Sequence, residues 1–169
     1  MSILYIHHSV PGQFLNVIQH LAPRVRPRST FLAVQDNSAF TLVDKQFYRP
    51  DTVGTPGDRA LQPVANLLGH ARAAGRKLRQ LADTGFEPRL VIAHAGWGGA
   101  LPLREVFPDV PMIAYCEFFR GGGGTADALS TWHLQAALDQ SAAGVSPTQW
   151  QRSTFPAAYH PKIRVIHDG

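Results

Sequence analysis

An α/β domain built on a doubly wound parallel sheet is the fold this sequence predicts, and three observations carry the prediction. Short apolar runs such as ILYI, TFLAV, RLVIA and MIAYC recur along the chain; being near-continuous, they read as strands buried on both faces. Segments with apolar residues spaced by three and four fall between them, as helices covering a sheet require. The length, 169 residues, suits one core. Strands alternating with helices at these distances build βαβ units and a Rossmann-like single domain.

The elements follow in order. ILYIHH is a strand ending in two histidines, and PGQF opens a helix with apolar Phe14, Val17, Ile18 and Leu21. STFLAVQ is a second strand, whereas residues 37–58 hold proline and glycine without a period. From Gln62 to Asp83, Leu61, Val64, Leu68, Ala71, Leu78 and Leu81 mark one helix face, with Gly69 and Gly75 as weak points. RLVIAH is the third strand, LPLREVF a short helix, and VPMIAYCEFF a fourth strand entered through Pro111, where a missing N–H does least harm. The RGGGG stretch reads as a flexible loop before a helix from about Asp127 to Gln140. AAGVS is a short buried strand. SPTQWQ is a helix start with Ser146 as N-cap, Pro147 in the first helical position and Gln149 completing a capping box. KIRVIHDG supplies the last strand.

Composition narrows the function classes. With 44% hydrophobic and 17% charged residues, disordered, collagen-like and coiled-coil chains are excluded. No apolar run reaches the roughly 18–20 residues of a membrane span, and the start of the chain carries no basic leader, so the expectation is a soluble, cytoplasmic protein. The lone Cys116 excludes an internal disulfide and a cysteine-built zinc site, in keeping with a reducing compartment. The net charge of +4 comes mainly from arginines in RVRPR and RAAGRKLR. These clusters lack interleaved aromatics and do not read as a nucleic-acid site; they suit solvated faces that attract anions such as nucleotide phosphates or the lipid headgroups of a membrane surface.

In an open parallel sheet, ligands bind beyond the carboxyl ends of the strands. This sequence places three unusual loops there: His7, His8 and PGQF after the first strand, HAGWGG after the third, and CEFFRGGGG after the fourth. Gly12 sits at a strand-to-helix turn where backbone N–H groups receive a phosphate or carboxylate, although a plain turn glycine explains it equally. His7 and His8 alternate across the strand end, so one of them at most faces the crevice. His94 is a candidate to contact a substrate hydroxyl or act as general base, against the alternative of a backbone-bonded histidine closing a strand. Gly96, Gly98 and Gly99 would let the backbone approach a ligand, and Trp97 offers the apolar platform on which sugars stack. Glu117, between Cys116 and the aromatic pair Phe118 and Phe119, is expected to have its pKa raised by desolvation toward a useful base, unless Arg120 or Arg152 pairs with it.

Together HHSVPGQF, AHAGWGG with LPLREVFPDVPMIAYCEFF, and GVSPTQWQRSTFP with KIRVIHDG resemble one family. They are similar to the N-terminal domain of bacterial retaining glycosyltransferases of family 4, which have the two-domain GT-B architecture. The resemblance covers nearly the whole chain. It implies transfer of a sugar from a nucleotide sugar, a donor substrate rather than a resident cofactor, to a glycan, lipid-linked or small-molecule acceptor. It implies that residues 1–169 form the acceptor-side domain, inactive alone, with the donor bound mostly by a C-terminal domain this chain lacks, and that no metal is held. It places the Gly12 turn and Gln13, with His7 and Phe14 beside them, against the donor phosphates. Glu117 falls where many relatives carry a histidine that contacts the donor sugar, and His94 matches a polar position lining the acceptor side. With Gly96, Trp97, Gly98, Phe118 and Phe119 completing the wall, Glu117 and His94 are the expected catalytic pair. Substituting either is expected to cut turnover with little loss of thermal stability.

Two further readings use the same residues. One is a hydrolase or phosphate-handling enzyme built on His7, His94 and Glu117, which lacks metal-ligand spacing and a G-x-S-x-G elbow. The other is a non-catalytic carbohydrate-binding domain or one subunit of a two-chain transferase.

Overall fold

The computed structural model describes residues 2–25, 28–36, 39–54, 57, 59–119 and 125–168. The RGGGG loop, with Arg120, lies outside them. Seven parallel strands form the main sheet: β1 (Ile3–Ile6), β3 (Thr30–Ala33), β5 (Asp44–Phe47), β6 (Leu90–His94), β7 (Met112–Tyr115), β8 (Ala143–Ser146) and β9 (Ile163–Val165). Their order in space is β5-β3-β1-β6-β7-β8-β9. A two-residue pair, β2 (Ser9–Val10) with β4 (Gln35–Asp36), extends the first loop.

The chain first winds outward from β1 through β3 to β5, then crosses back to β6 and winds the other way. Strand order therefore reverses between β1 and β6, which pair Ile3 with Leu90 and Ile6 with Ala93. Loops leaving neighbouring strands in opposite directions open a crevice at such a point, and this one is bounded by His7 and His94.

One face of the sheet is covered by α2 (Gln62–Asp83) and α3 (Leu103–Val106) over Leu4, Ile6, Val91, Ala93 and Met112, and by α4 (Thr125–Gln140) and α5 (Gln149–Ser153) over Ala114 and Cys116. The other face packs α1 (Leu15–Leu21) on Ile3, Tyr5 and Phe31. Coverage is unequal. Leu90, Ile92, Ile113 and Val145 on that second face line an open groove of about 480 Å³ beside Val17 and Leu21 of α1. Among the described residues, no helix is long and apolar enough to cross a membrane.

Three expectations change. Residues 37–58 contain β5, an edge strand whose sequence DKQF is half exposed and carries no apolar period. The buried stripe of α2 is Ala65, Gly69, Ala73, Ala74, Gly75 and Leu78, while Leu61 and Leu68 stay 40% and 38% exposed. Small residues win because a Cβ at Gly69 would run into the Asp51 carbonyl oxygen, and one at Gly75 would come within 3.1 Å of Pro102 Cβ. The glycines that weaken α2 as a helix let it dock closely. The N-cap of α5 is Thr148, whose hydroxyl accepts from Gln151 N at 3.1 Å. Ser146 belongs to β8, fully buried, and donates to the Cys116 carbonyl at 2.8 Å.

Candidate active site

The crevice at the strand reversal is built from the loops after β1, β6 and β7. The β6 loop is fixed locally: after His94 the chain makes a single 3₁₀ turn, Ala95–Trp97, and the His94 Nδ1 accepts from Gly96 N at 3.0 Å. Since that N–H requires the Nδ1 lone pair, the imidazole proton sits on Nε2, which donates to Glu117 Oε2 at 3.2 Å. His94 is 95% buried, with His7, Trp97 and Tyr115 rings at 5.1, 5.9 and 5.4 Å. Both of its nitrogens are engaged. It is a clamp for Glu117, and the role of general base is corrected on that ground.

Glu117 is held by the strand it leaves. Cys116 N donates to Val145 O at 2.7 Å, Ser146 fixes the Cys116 carbonyl, and Phe119 N donates to Thr154 Oγ1 at 2.8 Å. The carboxylate side chain is 35% exposed. Its pKa lies below the ordinary carboxylate value, because the hydrogen bond from His94 outweighs desolvation, with a hydrogen bond from the Gln13 side chain acting in the same direction. The expected upward shift is therefore reversed: pairing dominates burial. The partner is His94, and Arg152 instead donates to the carbonyls of Ile163 and His160 at 3.0 and 2.9 Å.

His7 and His8 part company as expected. His7 is 6% exposed, its Nδ1 is engaged by the Ser9 backbone, and its Nε2 has no hydrogen-bond partner. Burial, reinforced by His94, lowers its pKa to about 4. Gly12, with φ +51°, closes over this ring: a Cβ there would lie 2.5 Å from two ring atoms. Gln13, the next residue, reaches both His7 and Glu117 electrostatically. On the other side His8 stacks on Trp97 at 4.6 Å between centroids and 30° between planes. Trp97 remains 40% exposed, an aromatic platform backed by a histidine.

A cavity of about 330 Å³ lies between this platform and α4, lined by His94, Gly96, Trp97, Glu117 and Phe118 and by Ser130, Thr131, His133 and Leu134. The last four were not legible from sequence as site residues. Their only signal is the polar side chains of Ser130, Thr131 and His133 at helical spacing beside Leu134, inside a helix that also buries Leu138.

Other expected ligand contacts move away from this cavity. Phe14 is 2% exposed and packs among Tyr5, His7, Phe31 and Tyr115, a core role that anchors the Gly12 turn. Phe119 turns toward Phe155, 5.6 Å away. Gly98 and Gly99 are buried: a Cβ at Gly98 would meet the Leu67 carbonyl at 3.0 Å, and one at Gly99 the Tyr48 hydroxyl at 3.0 Å. Those two glycines admit α2 and Tyr48, not a ligand; Gly96 alone of the three lines the cavity. Among the described residues, no group of three or more His, Cys, Asp or Glu is arranged to hold a metal ion.

Comparison with known proteins adds a family to this geometry. The sequence matches the family described as the Glycosyl transferase family 4 group over residues 26–128 and 126–169. No curated protein sequence matches the chain. Among solved structures, the fold is similar to Anabaena HepE in complex with UDP, at 16% identity and a TM-score of 0.61, over 100% of this chain and 44% of that one. It is similar to Os79 from O. sativa in complex with UDP, at 9% identity and a TM-score of 0.62, over 97% of this chain and 50% of that one. A UDP-GlcNAc 2-epimerase from Neisseria meningitidis bound to UDP-GlcNAc is similar at 12% identity and a TM-score of 0.58, over 98% of this chain and 45% of that one. This chain thus spans about half of each, and such identities speak for the fold alone. The matched segments cover most of the sequence, and the chain belongs to the Glycosyl transferase family 4 group, folded as the N-terminal half of the GT-B architecture.

Proposed function

We propose that this chain is the acceptor-side half of a retaining glycosyltransferase, moving a sugar from a nucleotide sugar to an acceptor, with a second domain supplying most of the donor contacts. The observation that carries the reading is the Glu117 carboxylate, kept ionised by His94 beside the Trp97 platform at the strand reversal. Sugar transfer passes through a transition state with positive charge on the sugar ring. A fixed carboxylate near that ring favours the transition state over the ground state, and it needs no reorganisation because His94 is itself locked by Gly96.

In this reading His94 is a positioning residue and Glu117 the group that meets the sugar. Trp97 orients the ring by stacking, and Gly12 with Gln13 faces the donor phosphates. The donor is a substrate, so no resident cofactor enters. HepE and Os79 are each in complex with UDP, which supports a nucleotide sugar as donor. The exposed arginines of α2, Arg72, Arg76 and Arg79, suit an anionic acceptor or a membrane surface.

The test joins this chain with its donor-binding half and follows the anomeric configuration of the product by NMR. Transfer with retained configuration is expected; inverted product would overturn the retaining assignment, and absence of transfer from every nucleotide sugar would overturn the transferase.

A further inference from the structure

A segment that leaves the edge of a sheet with exposed side chains moves freely unless something specific holds it. Beyond β9 the chain meets such a hold. Ile166 is 55% exposed, and its N–H bonds the Ser146 carbonyl of β8 at 3.0 Å. His167 is exposed as well. Asp168 is then fixed twice: its carboxylate Oδ2 accepts from the Tyr115 hydroxyl at 2.7 Å, and its backbone carbonyl accepts from Asn16 Nδ2 at 2.6 Å. Within three residues the chain therefore crosses from the edge strand β9, over the carboxyl end of β8, to the carboxyl end of β7 and the first turn of α1.

Both anchors belong to elements that build the crevice. β7 ends at Tyr115, two residues before Glu117, and α1 follows the Gly12 turn and Gln13. Tyr115 is 6% exposed; its ring packs edge-on against Phe14, with centroids 5.9 Å apart, and tilted against His94, 5.4 Å away. One phenol thus packs on the residue that anchors the Gly12 turn and on the histidine that clamps Glu117, while its hydroxyl donates to Asp168. A hydrogen bond from a hydroxyl to a carboxylate is among the stronger kinds, and the tyrosine side of this one is shielded from water. Burial, and then the bond to Asp168, raise the Tyr115 pKa, which keeps the hydroxyl a donor.

We propose that Asp168 is a positioning residue: its bond to Tyr115 latches the chain, where it leaves this domain, to the mouth of the crevice and so sets how the donor-binding half meets Glu117. The inference rests on the two-domain reading of the proposed function. Domains joined by a short connection move relative to one another by default, and closure of two halves over a substrate is a step that sets rates. The latch gives the point of departure a fixed place relative to the carboxylate.

The experiment uses the chain joined with its donor-binding half, carrying one spin label at Gln80→Cys, exposed on α2, and one on the donor half. Cys116 is fully buried and stays unlabelled. Pulsed dipolar spectroscopy reads the distribution of label separations, and steady-state kinetics accompany it. Tyr115→Phe removes the hydroxyl and keeps the ring, Asp168→Ala removes the acceptor, and Asp168→Asn keeps an acceptor oxygen; thermal unfolding checks that each is folded. Tyr115→Phe and Asp168→Ala should each broaden the distribution and raise the donor KM about tenfold, as loss of one hydrogen bond to a charged group predicts. Asp168→Asn should recover most of both effects, and the double variant of Tyr115→Phe with Asp168→Ala should be no worse than either alone. A distribution unchanged in both single variants overturns the latch and leaves the proposed function standing. Effects that add in the double variant overturn the pairing of the two residues. Absence of transfer by wild type from every nucleotide sugar overturns the proposed function, and the label distances then still decide whether Asp168 sets the geometry of the two halves.

Discussion

His94 Nε2 donates to Glu117 Oε2 at 3.2 Å while Gly96 N occupies His94 Nδ1, so one imidazole joins two strand-end loops and has no nitrogen left for substrate. The two residues are 23 apart in sequence, at the ends of adjacent strands, where β6 and β7 pair His94 with Tyr115. Glu117 then emerges two residues beyond that pairing, on the same side of the sheet end. The arrangement makes Glu117 the chemically available member of the pair.

Removing His94 should therefore release Glu117. In His94→Phe the carboxylate loses its principal stabilising hydrogen bond, and its pKa should rise toward the ordinary carboxylate value or above it. Carboxyl-carbon NMR against pH reads this directly. An unchanged Glu117 titration would mean that Gln13 or another neighbour holds the charge.

His94→Ala should also cost stability, against the sequence-based expectation of little change. The side chain is 5% exposed and packs on three aromatic rings, so truncation leaves a cavity worth about 2–4 kcal/mol. Denaturant midpoints with an unchanged m-value would measure it. Glu117→Gln, which keeps shape at a partly exposed position, should cost no more than about 1.5 kcal/mol.

Stability should fall on mild acidification, and His7 is the main reason. The unfolded histidine takes up a proton near its model value of 6.5, but the folded one only near about 4. The unfolded state thus binds more protons between these values, and stability declines as pH falls through that window before levelling off, by about 3 kcal/mol at most. Glu117, with its lowered pKa, adds a smaller loss only at still more acid pH, as its pairing is protonated away. His7→Phe should flatten the slope of urea midpoints between pH 6.5 and 4; a slope equal to wild type would assign it to other groups.

Gly12→Ala should destabilise by about 1–3 kcal/mol, because the position combines a left-handed backbone with contact to the His7 ring. The substitution should also shift the His7 resonances, separating it from an ordinary turn glycine such as Gly85, where a Cβ would meet nothing within 4 Å.

The sheet was legible because buried parallel strands announce themselves as apolar runs, and the crevice followed from the rule that ligands gather at carboxyl ends. The edge strand β5 escaped because DKQF is half solvated and held by pairing with β3, a long-range contact with no local signature. The loops that meet at the crevice were legible, but which way each of their side chains and glycines faces was not. A glycine admitting a ligand and one admitting a helix look alike in sequence, and Gly98 and Gly99 do the latter. Glu117 was read as an acid desolvated toward a useful base unless an arginine paired with it, because the His94 pairing depends on strand register. His133 stayed hidden for the same reason: a histidine within a helix is ordinary until the fold brings α4 against the β6 loop.

The measurement that tests the central claim most directly is sugar transfer by Glu117→Gln beside wild type, each joined with the donor-binding half and matched for thermal stability. The account predicts that turnover falls by about 100-fold or more while substrate affinity changes little, since the carboxylate acts on the transition state. Turnover within about twofold of wild type would contradict it and remove Glu117 from the chemistry.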